Sequence, residues 1–176
     1  MATVRTAKEK ELALLMFSYF LLITFAVYVI KPVKDALFMH HLGKRGLPYA
    51  FLLTAILMAL AVSVNSRLLH RMGRSLHVSL TLVFFVASSL VFWLLLTRPR
   101  PGNGVYYLLW SWGDIFLVMC VTQFWILIND LMSPRAFKKR VGFLVSGGLL
   151  GGSAGSLATR YLANPWGTEN LILVCP

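Results

Sequence analysis

From Leu12 to Ile30 the chain runs for nineteen residues without one charged side chain. At 1.5 Å per residue such a run makes about 28 Å of helix, close to the roughly 30 Å of hydrocarbon in a bilayer. Lipid offers the backbone no hydrogen bonds, so a segment that crosses it must satisfy its own, which a helix does. The pattern recurs. Five spans are predicted, at about residues 12–38, 47–66, 76–97, 105–131 and 141–163, and a sixth begins near Leu171 and stops at Pro176. Between them lie segments rich in Gly, Pro, Asn and charge: LGKRGLP, RLLHRMGRS, RPRPGNG, MSPRAFKKR and NPWGTEN. Such clusters mark turns. The odd number of spans with an incomplete last one implies a shortened chain.

Composition agrees with lipid as the solvent. Hydrophobic residues make up 58% of the chain and charged ones 13%, with a mean hydropathy of +0.74. Soluble domains hold about 45–50% apolar and about 25% charged residues. The expected fold is therefore all-α, a polytopic membrane helix bundle at 12–176 behind a short cytoplasmic tail at 1–11. The amino terminus resembles a secretory signal only superficially: its apolar run is too long, and no small-x-small cleavage site follows.

The net charge of +11 would point to nucleic acid in a soluble chain. Here the bases fall in short connections between apolar runs, where membrane proteins carry them, so no nucleic-acid partner is expected. Ten of the seventeen, at 5, 8, 10, 67, 71, 74, 135, 138, 139 and 140, fall on the amino-terminal side of the bilayer and seven on the other. Positive loops stay inside, which is expected to place the amino terminus in the cytoplasm. Cys120 and Cys175 form neither a disulfide framework nor a metal site. Cys120 reads as a small buried hydrophobe. The four histidines lie in or beside loops with no metal-ligand spacing, so neither a cofactor nor an enzyme is expected.

Three places depart from plain lipid-spanning sequence. The first span ends YVIKPVKDALF. Lys31 and Lys34 are three apart and Asp35 is four from Lys31, spacings that share a helical face. Two readings are open. The lysines snorkel to the headgroups, or they engage an anion with Asp35 holding one of them beforehand. Pro32 removes a backbone donor between them and is a candidate hinge. In the fourth span Asp114 lies inside an apolar segment, either near the outer interface or facing a wet cavity; an intramembrane carboxylate is a functional candidate by default. Gln123 and Asn129 sit deeper, and Asp130 marks the end beside Arg135 and Lys138. The fifth span carries SGGLLGGSAGS, in which Gly147, Gly148, Gly151, Gly152 and Gly155 recur at four-residue spacing. A phosphate loop would need Gly-Lys-Ser/Thr after a strand, absent here. Small residues every fourth position instead let a neighbouring helix approach closely in lipid.

The basic turn His70-Arg71-Met72-Gly73-Arg74 resembles the loop between helices two and three of the major facilitator superfamily, with His70 where that motif has aspartate. KPVKDALF, then FWILINDLMSPRAFKKRVG, then the glycine-rich span together resemble, in order from about Phe17 to Gly155, one family of that superfamily. It is the nucleotide transporter family typified by the ATP/ADP translocases of plastids and intracellular bacteria. The matching residues are Lys31, Lys34 and Asp35; Phe124, Trp125 and Asn129; and Ala136 with Lys138, Lys139 and Arg140. The resemblance implies antiport of ATP for ADP by alternating access, and a chain equal to the amino-terminal half of a full member, whose partner would be the missing carboxy-terminal half. It further implies a bacterial inner membrane as the location, and phosphate binding by Lys31 and Lys34, with Asp35, Asp114, Asn129, Arg71 and Arg74 as charge partners or gates. Tyr28, Trp110, Trp112, Phe124 and Trp125 offer stacking surfaces for a base. A transporter of another solute, or a non-transporting module that assembles with partners, are the alternatives.

Overall fold

The computed structural model describes residues 2–71, 74–97 and 101–166. It contains α1 (Ala2–Leu42), α2 (Leu47–Arg71), α3 (Arg74–Leu96), α4 (Asn103–Leu131) and α5 (Pro134–Trp166), with a single 3-10 turn at Lys44–Gly46. No strand occurs among the described residues. All five helices contain segments long and apolar enough to cross a bilayer, so the chain is an all-helical integral membrane protein. The apolar run from Leu171, Cys175, and the Met72-Gly73 step of the basic turn lie outside the described residues.

Helix ends follow local chemistry. Gly43, at φ 63°, stops α1 in a conformation open to a residue without Cβ, and its N–H bonds back to Met39 O at 3.2 Å. At the α4–α5 corner Ser133 caps and Pro134 opens α5: the Ala136 N–H donates to Ser133 Oγ at 3.4 Å and the Phe137 N–H to Ser133 O at 2.9 Å. Proline suits a first helical position because its missing N–H would have no partner there anyway. Two elements run further than hydropathy implied. The tail at 2–11 continues α1 instead of forming a separate segment, because Ala, Lys and Glu there favour helix and no breaker intervenes. The basic residues at 138–140 form the first turns of α5, not a loop. Pro32 lies within α1, which continues through it.

The bundle is built on α1 and α4. Contacts run Phe20 to Phe124, Lys34 to Asp114 and Phe38 to Trp110, so these two helices are antiparallel. α5 lies parallel to α1, the most extensive pairing in the molecule. Its glycines make this possible: Cβ atoms at Gly147, Gly151 and Gly155 would meet the main-chain oxygens of Phe17, Leu21 and Phe25, four residues apart in the same direction. Gly148 and Gly152 face the rings of Phe20 and Tyr28. Close backbone approach is how helices associate in lipid, where apolar burial provides no net drive. α2 runs parallel to α4, with Thr54 Oγ1 2.9 Å from Ser111 Oγ and Phe51 edge-on to Trp110. α3 is antiparallel to α4 through Phe85 on Phe116 and a Trp112 Nε1–H bond to Ser88 Oγ at 2.9 Å. The core is the seam between α1 and α4, where Phe124, Ile128, Val29 and Val33 are fully enclosed. α2 and α3 expose most of their apolar side chains outward, as lipid-facing spans do.

Candidate functional site: a shared lysine between two carboxylates

The α1–α4 seam is apolar except at one level, where Lys34 of α1 meets α4. Lys34 lies eight residues before the end of α1, about 12 Å along the axis, and Asp114 lies eleven residues into α4, about 17 Å. Both therefore lie more than two turns from the nearer end of their helices. Lys34 Nζ is 2.9 Å from Asp114 Oδ1 and 3.2 Å from Asp35 Oδ1, and it sits 3.9 Å from the centroid of a Trp110 ring. The lysine side chain is 5% exposed, Asp114 30% and Asp35 43%. A desolvated ammonium needs paired oxygens, and a ring face adds about 0.5–2 kcal/mol when water is excluded.

Sequence spacing placed Lys31 and Lys34 on one face; the structure separates them. Lys34 turns into the seam, while Lys31 is exposed and makes no ion pair among the described residues. Three residues along a helix rotate the side chain by about 60°, enough here to carry it past the edge of the contact with α4. The cluster thus contains one cation and two carboxylates, a formal charge of −1, and not a pair of lysines. Asp114 is the carboxylate that apolar context singled out, and Asp35 is the sequence neighbour that reaches back to the same ammonium.

Two contributors are not placed at the lysine by the sequence, which offers Trp110 only as a stacking surface for a base and does not single out Gly113. Trp110, one helical turn before Asp114, underlies the ammonium, and its buried Nε1 has no hydrogen-bond partner among the described residues. Gly113 leaves room for the lysine stem: a Cβ there would lie 2.5 Å from Lys34 Cδ and 3.3 Å from Cε. The WSWGD string carried both signals, an aromatic at i−4 and a glycine at i−1 from the acid. Gly113→Ala is expected to push Lys34 off Asp114 and lower stability by about 1–3 kcal/mol, as overpacking does. Denaturation in mixed detergent micelles, followed by far-UV circular dichroism, checks this; an unchanged midpoint would show that the lysine stem moves freely.

The other candidates lie elsewhere. Asn129 and Asp130 are exposed at the opposite end of α4, and Arg71 is exposed at the end of α2. Arg74 begins α3, but its side chain is outside the described residues, as is that of His70. Of the aromatics, Phe124 is fully buried in a stack with Phe20, Trp112 is held by Ser88, and Trp125 leans on Phe137, all packing roles. Tyr28 is exposed beside Gly152. Gln123 is buried near His77 with its Nε2 unpartnered among the described residues.

Chemically, the cluster ties two spans through a bond that an anion can replace. A phosphate or carboxylate oxygen would compete with Asp114 for Lys34. Asp35 and Asp114 are partly exposed, whereas the ammonium they share is enclosed. No protein-family model, curated protein or solved structure matches this chain.

Proposed function

We propose that this chain is a membrane transporter, or a portion of one, that moves an organic anion by alternating access, with a nucleotide such as ATP or ADP as the best-fitting solute. The observation that carries the reading is Lys34, an almost fully buried ammonium on a seam between two spans, shared by Asp35 and Asp114. A membrane protein that needs only packing has no reason to place a charge there, since intramembrane ionisable groups are costly and mark solute or ion paths. In this reading the empty site is held shut by Lys34–Asp114, and an incoming phosphate takes the ammonium, releasing α1 from α4. Lys31 meets the solute at the exposed rim. The nucleotide assignment and the major-facilitator half-bundle rest on the sequence resemblance, and the cytoplasmic amino terminus rests on charge placement.

The test is thermal stabilisation of the detergent-solubilised chain. ATP and ADP at millimolar concentration should raise the unfolding midpoint, AMP and inorganic phosphate should not, and Lys34→Gln should abolish the shift while Lys31→Gln reduces it. Equal shifts for wild type and Lys34→Gln would remove the lysine from the site. Shifts from a carboxylate solute but not from nucleotides would keep the site and change the cargo. A second reading is favoured by the outward apolar faces of α2 and α3: a non-transporting module that assembles with further helices. It requires no anion effect at all.

A further inference from the structure

Away from the lysine cluster, α2, α3 and α4 enclose a cavity of about 600 Å³. α2 and α3 touch little, so a slot stays open between them, floored by Ile115 and Met119 of α4. Its walls run from Leu60 to Leu68 on α2 and from His77 to Ala87 on α3. These walls are nine and eleven residues long, or about 12 and 15 Å of helix from first to last. That is the depth of one leaflet, half of the roughly 30 Å hydrocarbon core. The lining is almost wholly apolar, and the few polar side chains, Asn65, His77 and Thr81, gather toward the α2–α3 turn.

That same end is basic. The lining stripe Val64 and Leu68 continues in register to Arg67 and Arg71, three residues beyond each, and both arginines are exposed. Neither arginine lines the slot, but both lie within one turn of lining residues, and a long side chain in that position can reach toward the slot's basic end. An apolar trough one leaflet deep with two exposed arginines near one end matches one molecule: a phospholipid with a negative headgroup. Clustered bases where spans meet the surface favour anionic lipid by about 1 kcal/mol each. Planar guanidinium also bonds phosphate through two nitrogens at once.

We propose that the α2–α3–α4 slot is a binding site for an anionic phospholipid, one acyl chain filling the cavity and the headgroup phosphate held by Arg67 and Arg71. The site is independent of the lysine cluster and of any solute. It gives α3, the least anchored helix, a lipid as packing partner.

Native mass spectrometry of the whole chain in non-ionic detergent, titrated with palmitoyl-oleoyl phosphatidylglycerol or the matching phosphatidylcholine, tests this. One phosphatidylglycerol should be retained with about 30-fold preference, the size of two bases at about 1 kcal/mol each. Arg67→Gln with Arg71→Gln should abolish the preference, and Ala87→Phe, which fills the slot, should abolish retention of both lipids. Far-UV circular dichroism without lipid shows whether each variant is folded. If Ala87→Phe does not fold, Ala61→Leu on the facing wall replaces it. Equal retention of the two lipids would overturn the proposal. So would retention that survives slot filling, or a lipid-insensitive dimer, which would make the slot a contact between two copies.

Discussion

Asp114→Ala is expected to destabilise the bundle by about 2–4 kcal/mol, more than Lys34→Met, although the two variants break the same ion pair. The asymmetry comes from exposure. Removing Asp114 strands a lysine that is 5% exposed, with only the half-exposed Asp35 left at 3.2 Å. Removing Lys34 strands carboxylates that are 30% and 43% exposed and so less enclosed than the ammonium. Breaking a buried pair from one side costs about 3–5 kcal/mol, and the lower figure here allows for the solvent that reaches Asp114. The double variant Lys34→Met with Asp114→Leu should recover most of the loss, because matched apolar groups of similar volume often replace a buried pair without penalty. The check is a double-mutant cycle from denaturant midpoints in mixed micelles, with a coupling of about 1.5–3 kcal/mol expected. Additive single effects would mean that the ammonium finds water or headgroups when Asp114 is absent, and the seam would not be the dry contact that Lys34's burial implies.

If the proposed function holds, that double variant separates stability from activity. It should fold as well as the parent and lose every response to ATP and ADP. Stability and solute binding are then distinct demands on one lysine.

How far the sequence led is best seen in particular residues. The uncharged run from Leu12 declared a span because hydrocarbon thickness and helix rise admit few other outcomes, and the same reasoning reached α2 to α5. Helix pairing was not legible. Nothing local says that α5 lies along α1, since that contact joins glycines to main-chain oxygens more than a hundred residues away. Asp114 stood out because charge is conspicuous in an apolar segment. Which lysine answered it did not, because Lys31 and Lys34 differ by about 60° of rotation and spacing alone cannot say where the edge of a neighbouring helix falls. That Trp110 meets the lysine, and that Gly113 matters at all, were hidden for a related reason. A tryptophan under an ammonium and a glycine making room for its stem look, in sequence, like any interfacial aromatic and any small residue.

Gly151→Ala tests the other structural claim, that α5 is seated on α1 through missing side chains. A Cβ at 151 would run into Leu21 O and Thr24 Oγ1, and neither is the free end of a flexible chain. Thr24 is further fixed by donating to Phe20 O at 2.7 Å. The helices must separate to admit a methyl group, at a cost of about 1–3 kcal/mol. Gly151→Leu should exceed that range and unseat α5. Gly142→Ala is the matched control: it lies in the same helix with nothing within 4 Å of the new Cβ, and should gain up to about 1 kcal/mol from helix propensity. Opposite signs from one chemical change in one helix are the expected result, read as unfolding midpoints by circular dichroism. Two equal and small effects would mean that α1 and α5 slide past one another at no cost. The Lys34–Asp114 coupling should be unaltered in Gly151→Ala, because that pair joins α1 to α4 and shares no partner with Leu21 or Thr24, so the two perturbations should add. A changed coupling would show instead that α5 sets the position of α1 along the seam, and through it the distance between lysine and carboxylate.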